Sequence, residues 1–223
     1  GWTIRCATNP VCGRETRYAR IERAERPLKV MVVGGGPAGM EAARTAALRG
    51  HQVTLYEKED QLGGLLRAAT VPDFKADLRR LVNYLSTQLD KLGVQVVLNT
   101  EVTPELVRQQ APDVLIVATG SVPIRPDIPG LDRENVVTAL DVLLGQVEVG
   151  QRVVVAGGGL VGCEVAAHLA RQGRKVTIVE MLEDIATDVE PLTRMALLNL
   201  LSESGVEIIR GHCLDQVTDE GVT

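Results

Sequence analysis

Apolar and polar positions along the chain form short blocks that predict strands alternating with helices. Four apolar runs have the length of buried strands: residues 28–33, 52–56, 94–98 and 114–118. An alanine-rich helix is predicted over residues 37–48, and residues 73–92 carry apolar side chains at helical spacing. Asp73 is the predicted N-cap of that second helix, and Gly93 ends it. Strands alternating with helices favour a doubly wound parallel sheet.

The second half of the chain repeats the first at a constant offset of 123 residues, as in Gly34 and Gly157. Six further pairs share this offset: Gly36 and Gly159, Gly39 and Gly162, Gly50 and Gly173, Val53 and Val176, Thr54 and Thr177, Glu57 and Glu180. A helix over residues 191–204 and a strand over 206–209 continue the second copy. The same strand–helix–strand unit is therefore predicted twice, in tandem α/β domains.

A proline-rich segment separates the two copies. Residues 121–130 contain three prolines and predict an extended connector, and the domain boundary is expected near residues 145–150. We assign the first domain to residues 28–147 and the second to 148–223. A second domain as long as the first would need about fifty more residues, so we expect it to be incomplete.

Each copy carries a glycine loop between a strand and a helix. Gly34 permits a tight turn, Gly36 leaves room for a pyrophosphate, and Gly39 lets the helix pack closely. Glu57 ends the next strand, where a carboxylate accepts hydrogen bonds from both ribose hydroxyls of an adenosine. The second loop has the same spacing, with Gly157, Gly159, Gly162 and Glu180. Together these features predict two Rossmann-like dinucleotide-binding domains.

Two such sites in one chain suggest hydride transfer between a flavin dinucleotide and a nicotinamide dinucleotide, in which the cofactors carry the redox chemistry. Glu180 would repel a 2′-phosphate, so the second site should prefer NAD to NADP. No acid–base pair is required, and we predict no catalytic residue in this chain.

Composition narrows the function classes. The 223 residues have a net charge of −5 and only 2% aromatic residues, which argues against nucleic-acid and anionic-membrane partners. Charged residues interrupt every apolar stretch well before the roughly 20 residues of a membrane span. No secretory signal is evident, and four scattered cysteines predict no disulfide framework, so a reducing, cytoplasmic location is expected.

The loop motifs, with Leu62-Gly63-Gly64 and Ala118-Thr119-Gly120, resemble the FAD/NAD(P)-binding fold of pyridine nucleotide-linked flavoproteins. The opening residues Cys6-Ala7-Thr8-Asn9-Pro10 are similar to the end of the iron–sulfur segment in the old-yellow-enzyme-like 2,4-dienoyl-CoA reductase and enoate reductase family of NADH:flavin oxidoreductases. In that family an FMN-carrying barrel and a cysteine cluster precede the two dinucleotide domains. The resemblance implies that residues 1–27 are a linker from that N-terminal barrel region, which would be a partner domain of the same polypeptide.

The resemblance also implies roles for individual residues. FAD-binding residues would be Gly34, Gly36, Pro37, Ala38 and Gly39 at the pyrophosphate, Glu57 at the ribose with Lys58 beside it, Gly63 and Gly64 toward the flavin, Val102 at the adenine, and Ala118, Thr119 and Gly120 at the crossing between domains. NADH-binding residues would be Gly157, Gly159, Leu160, Val161, Gly162 and Glu180. Cys6 matches the last ligand of a 4Fe-4S cluster, which could form only in the full-length protein, as could the FMN site.

The implied function is electron entry: NADH reduces FAD, and electrons pass through the cluster and FMN to an activated C=C bond. One alternative is a structural domain that holds ADP in the first loop without redox activity, as in trimethylamine dehydrogenase. Another is a stand-alone NADH-dependent electron-transfer reductase. Disulfide reductases are disfavoured because residues 62–74 contain no cysteine. Cys163, just after Gly162, is expected to be a packed side chain.

Overall fold

The computed structural model describes residues 6–18 and 20–223, so residues 1–5 and 19 of the predicted linker lie outside the described residues. The chain divides into two compact units. The first comprises the residues up to Thr70 and Lys75–Ser121, and the second comprises Val71–Phe74 and Val122–Thr223. The units divide after Ser121, whereas the sequence predicts a boundary near residue 147.

The segment between these two positions packs with the second unit. Ala139, Val142 and Leu143 contact its buried core, so the short helix that carries them belongs there. The predicted boundary rested on the glycines near residues 145–150, which do not reveal where these three apolar side chains pack. Which cofactor each domain binds stays a prediction.

The first unit is a four-stranded parallel sheet in the order β3-β2-β1-β4. Its elements are α1 (Glu15–Tyr18), β1 (Lys29–Val33), α2 (Pro37–Leu48), β2 (Gln52–Tyr56), α3 (Leu66–Ala69), α4 (Arg79–Lys91), β3 (Gln95–Val97), α5 (Pro104–Gln110) and β4 (Val114–Val117). Val33 is level with Tyr56 on one side and Val117 on the other, so the carboxyl ends of these strands align. Apolar side chains of β1, β2, α2 and α4 form the core, including Val32, Leu55, Met40 and Leu89.

The second unit repeats this plan with a three-stranded parallel sheet in the order β5-β6-β7. Its elements are α6 (Ala139–Leu143), β5 (Arg152–Ala156), α7 (Leu160–Arg171), β6 (Lys175–Glu180), α8 (Pro191–Glu203) and β7 (Glu207–Arg210). Ile178, Cys163 and Leu201 are fully buried between the sheet and its helices. Both units therefore have the predicted class of fold, a parallel α/β sheet in which a glycine loop joins the first strand to the first helix.

The predicted helix over residues 73–92 is wrong in its first part. Asp73–Leu78 form a 3₁₀ helix, and α4 begins only at Arg79. The Asp73 carboxylate accepts a hydrogen bond from the Phe74 N–H at 2.8 Å and does not cap α4. Phe74 packs against the core of the second unit. The conformation of this segment therefore depends on a contact that the helical spacing of apolar residues does not reveal.

Four short helices, α1, α3, α5 and α6, were not predicted. For α5 the sequence does contain a signal, a threonine followed by a proline, which is typical of a helix start. In the structure Thr103 caps the helix by accepting a hydrogen bond from the Leu106 N–H at 3.3 Å, and the proline takes the first helical position. Thr138 caps α6 in the same way, with 3.1 Å between its Oγ1 and the Asp141 nitrogen. Among the described residues, no helix has the length and apolar character needed to cross a membrane.

Candidate functional site

The first glycine loop is a tight turn at the carboxyl end of β1. Gly34 has φ +106°, and its N–H donates to the Tyr56 carbonyl at 2.8 Å. A Cβ placed on Gly34 would lie 2.2 Å from the Ala118 carbonyl oxygen. Both the backbone angle and the lack of space therefore require glycine here.

Gly39 and Gly36 lack side chains for different reasons. A Cβ on Gly39 would lie 1.9 Å from the Gly34 carbonyl oxygen, so its absence lets α2 close onto the loop. A Cβ on Gly36 would have the Gly64 Cα, 4.0 Å away, as its nearest described neighbour. Gly36 thus borders open space at the start of α2, where first-turn N–H groups and the helix dipole favour an anion. This cradle fits a diphosphate.

Glu57 is held in the loop by two backbone N–H groups. Its Oε2 accepts from Gly35 at 2.6 Å and its Oε1 accepts from Glu59 at 2.9 Å, and the residue is only 6% exposed. A carboxylate offers about four lone-pair sites, so about two remain for further donors such as ribose hydroxyls. The predicted ribose ligand therefore also fastens the glycine loop, a role that the sequence did not reveal.

Gly35 is a functional position that the sequence analysis missed. A Cβ there would lie 2.5 Å from Leu62 Cδ2 and 2.9 Å from Glu57 Oε2. Its carbonyl oxygen accepts a hydrogen bond from the Gly63 N–H at 2.8 Å. The available signal was the run of three consecutive glycines, which occurs in both loops although the fingerprint needs only the outer two of them.

Other predicted residues of the first unit lie around the same loop. Gly63 is buried against it, and a Cβ on Gly64 would approach the Gly36 Cα to 3.0 Å. Ala118 follows β4, and its N–H donates to the Val33 carbonyl at 2.8 Å.

The remaining predicted residues of this unit lie farther out. Lys58 is exposed, with its Nζ 3.8 Å from a Glu59 carboxylate oxygen at the surface. Val102 is half-buried and follows Thr100, whose N–H donates to the Glu57 carbonyl at 2.9 Å. Thr119 and Gly120 are exposed beyond β4, and Pro37 and Ala38 occupy the first turn of α2.

The second loop has the same construction. Glu180 accepts hydrogen bonds from the Gly158 N–H at 2.6 Å and the Leu182 N–H at 2.8 Å, and it is 9% exposed. A Cβ on Gly162 would lie 2.0 Å from the Gly157 carbonyl oxygen. Gly159 caps α7, and the next two predicted residues, Leu160 and Val161, form its first turn. The structure thus gathers the predicted residues of the second copy around one loop, as it does the glycines and Glu57 of the first copy.

Cys6 is exposed in the first unit, with its Sγ 3.4 Å from the Thr8 hydroxyl. Hydrogen bonds from the Thr8 side chain, and then from the Thr8 and Asn9 backbones, lower the pKa of this thiol. Residues 6–10 line a cavity of about 560 Å³ together with Pro37 and Ala38 of the loop helix. The described residues contain no group of three or more His, Cys, Asp or Glu side chains suited to a metal ion. A role for Cys6 as a cluster ligand stays a prediction.

Cys163 is a buried thiol in α7, and its Sγ donates to the Gly158 carbonyl at 3.2 Å. Burial, reinforced by the negative charges of Asp188, Glu180 and Glu164, raises the pKa of this thiol to about 11. At pH 8 only about one molecule in a thousand would carry the reactive thiolate.

We therefore expect iodoacetamide at pH 8 to alkylate the exposed Cys6 and Cys213 while leaving Cys163 unmodified until the chain is unfolded. Peptide mass spectrometry before and after denaturation in urea checks this result. Rapid labelling of Cys163 in the folded chain would contradict the packing described here.

Comparisons with known proteins agree with this geometry. Residues 28–223 match the family model described as pyridine nucleotide-disulphide oxidoreductase. The chain is 46% identical to an NADH oxidase of Thermoanaerobacter brockii, covering 98% of this chain and 34% of that protein. It is 45% identical to a cinnamate reductase of Clostridium sporogenes, covering 98% of this chain and 33% of the relative.

A solved structure shows the same fold. The complex of 2-naphthoyl-CoA reductase with 2-naphthoyl-CoA superposes with a TM-score of 0.93 at 38% identity, covering 97% of this chain and 33% of that one. The chain thus spans about a third of the length of these relatives. The resemblance to the FAD/NAD-binding region of enoate-reductase-type flavoproteins is confirmed. With two glycine-loop units and a match from residue 28 to residue 223, the chain belongs to the pyridine nucleotide-disulphide oxidoreductase family.

Proposed function

We propose that the chain is the dinucleotide-binding part of an NADH-dependent flavin oxidoreductase, with FAD in the first unit and NADH in the second. The observation that carries this proposal is the duplicated arrangement of a glycine loop and a buried carboxylate, Glu57 in one unit and Glu180 in the other. The names of the relatives, NADH oxidase and cinnamate reductase, support an oxidoreductase of this kind.

In the first unit, the backbone around Gly36 and the first turn of α2 would hold the FAD diphosphate. The spare lone pairs of Glu57 would accept from the ribose hydroxyls. Gly64, next to Gly36, would keep the approach to the flavin side free of side chains. When bound, the two dinucleotides supply the hydride chemistry, and the protein binds and orients them.

In the second unit, Gly159 and the first turn of α7 would face the NADH diphosphate, and Glu180 would face its adenosine ribose. A 2′-phosphate at this ribose would meet the buried carboxylate. Repulsion between the two negative charges would favour NADH over NADPH.

For the full-length protein we propose electron transfer from FAD through a 4Fe-4S cluster and FMN to an activated C=C bond in the cytoplasm. Cys6 would be one ligand of that cluster, and an N-terminal barrel would hold FMN. The position of residues 6–10 beside the first turn of α2 supports this proposal, because it brings the cysteine segment to the FAD-binding unit.

The alternative is a structural domain that binds ADP in the first loop only. Decay of the second loop would be expected in that case, because nothing would maintain it. Instead, the second loop keeps all three glycines, the buried carboxylate and both backbone hydrogen bonds.

Isothermal titration of the 223-residue chain with FAD, ADP, NADH and NADPH tests the proposal. We expect NADH to bind more tightly than NADPH. Glu180→Ala should reduce the ratio of the NADH affinity to the NADPH affinity about tenfold, because the repelling carboxylate is gone. Glu203→Ala removes an exposed carboxylate from the end of α8 and should leave the ratio unchanged.

Equal affinity for the two nucleotides, or a preference for NADPH, would show that Glu180 does not select the cofactor. Binding of ADP without binding of either pyridine nucleotide would favour the structural alternative.

A further inference from the structure

We propose that Asp188 weakens nucleotide binding at the second glycine loop, so that this site exchanges its ligand while the first site retains one. The inference rests on the proposed function, because it concerns how a dinucleotide is held at the second loop. It assigns a role to a residue that no part of the glycine fingerprint contains.

The two loops differ in what faces their central glycine. In the first unit the nearest described neighbour of a Cβ on Gly36 is the Gly64 Cα, which carries no side chain. In the second unit a Cβ on Gly159 would lie 3.9 Å from both carboxylate oxygens of Asp188. A negative charge thus stands at the start of α7, where the diphosphate would lie.

The segment that carries Asp188 is fixed on the loop side. The Ala186 N–H donates to the Gly158 carbonyl at 2.7 Å, which matches the contact between Gly63 and Gly35 in the first unit. Ala186 itself has a left-handed backbone, with φ +50°.

The same segment is also fixed by α8. The Arg194 Nε donates to the Ile185 carbonyl at 3.0 Å, and its guanidinium pairs with Asp184. Glu190 caps α8 by accepting from the Leu192 N–H at 3.1 Å. Residues before and after Asp188 in the sequence are thus fixed by these contacts, and the fold holds Asp188 near Gly159.

The charge at this place opposes a diphosphate. Asp188 and Glu180 both raise the pKa of the Cys163 thiol, which places them within electrostatic reach of the first turn of α7. A carboxylate facing the glycine that would border the diphosphate repels it even when solvent screens the two charges, and a roughly tenfold loss of affinity is expected.

A weaker second site suits the roles assigned to the two units. A prosthetic group must stay bound through many turnovers, whereas a nucleotide substrate must leave after each one, and release often limits turnover. The first loop has glycine at the position facing Gly36, and the second has a carboxylate. The difference between them is therefore the kind expected between a retained and an exchanged dinucleotide.

The test is to measure NADH binding to the chain and to Asp188→Asn, in the presence of FAD, by calorimetry and by stopped-flow dissociation. We expect Asp188→Asn to bind NADH about tenfold more tightly, mainly through slower dissociation. Glu183→Gln is the matched control, because it removes the same charge from the same segment but lies near Gly211. It should change NADH affinity by less than about twofold.

The outcomes separate the inference from the proposed function. If the unaltered chain binds NADH and both Asp188→Asn and Asp188→Ala bind it equally or more weakly, the inference is wrong and the proposed function stands. If the unaltered chain binds ADP but not NADH, both are overturned. Asp188 is exposed, so neither variant should lower the urea midpoint, which serves as the folding check.

Discussion

Gly39→Ala is expected to destabilise the first unit by about 3 kcal/mol, because a methyl group at this position overlaps the backbone. The added Cβ would lie 1.9 Å from the Gly34 carbonyl oxygen and 3.4 Å from the Ala118 Cβ. Relief requires α2 to move away from the loop, which would also disrupt the anion cradle. Urea unfolding should show the loss of stability, and calorimetry should show weaker ADP binding.

Gly36→Ala is the matched control for this prediction. Its Cβ would be 4.0 Å from the Gly64 Cα, and its backbone angles are open to alanine, so stability should change by less than about 1 kcal/mol. The methyl group would nevertheless enter the space assigned to the diphosphate, so ADP affinity should fall about tenfold or more. Equal destabilisation by the two variants would contradict the packing of α2 against the loop.

Glu57→Gln is the second large effect that we expect. The carboxylate accepts from two backbone N–H groups while 6% exposed, and an amide has only one acceptor atom for them. One N–H would then face an NH₂ group. The loss of a charge-assisted hydrogen bond and the unsatisfied donor should cost about 2 kcal/mol in the free energy of unfolding.

Glu57→Gln should also lower ADP affinity, by about tenfold or more. The glycine loop loses a hydrogen bond that holds it in place, and the ribose loses an acceptor. Glu59→Gln is the control, because its side chain is exposed and its ion pair with Lys58, at 3.8 Å, lies at the surface. It should change stability by less than about 0.5 kcal/mol. If Glu57→Gln is as stable as the unaltered chain, the hydrogen bonds to Gly35 and Glu59 do not fasten the loop.

The sequence predicted some of the features on which these two predictions depend, but not all of them. The repeat at a constant offset predicted both glycine loops, and the period of the apolar residues predicted seven strands in nearly their observed positions. The acidic residues Glu57 and Glu180 were expected to face a ribose, and their hydrogen bonds to Gly35 and Gly158 were not. Those bonds join residues 22 positions apart, which no local pattern encodes.

The sequence by itself determined the duplicated parallel α/β plan, because glycine spacing, strand length and helical period act over a few neighbouring residues. Only the tertiary structure decided that residues 122–147 pack with the second unit, that the first turns after Asp73 are not α-helical, and that Asp188 faces Gly159. Each of these depends on which distant side chains compete for the same space. Propensity and periodicity carry no record of that competition, since it arises only when the sheet brings separate segments side by side.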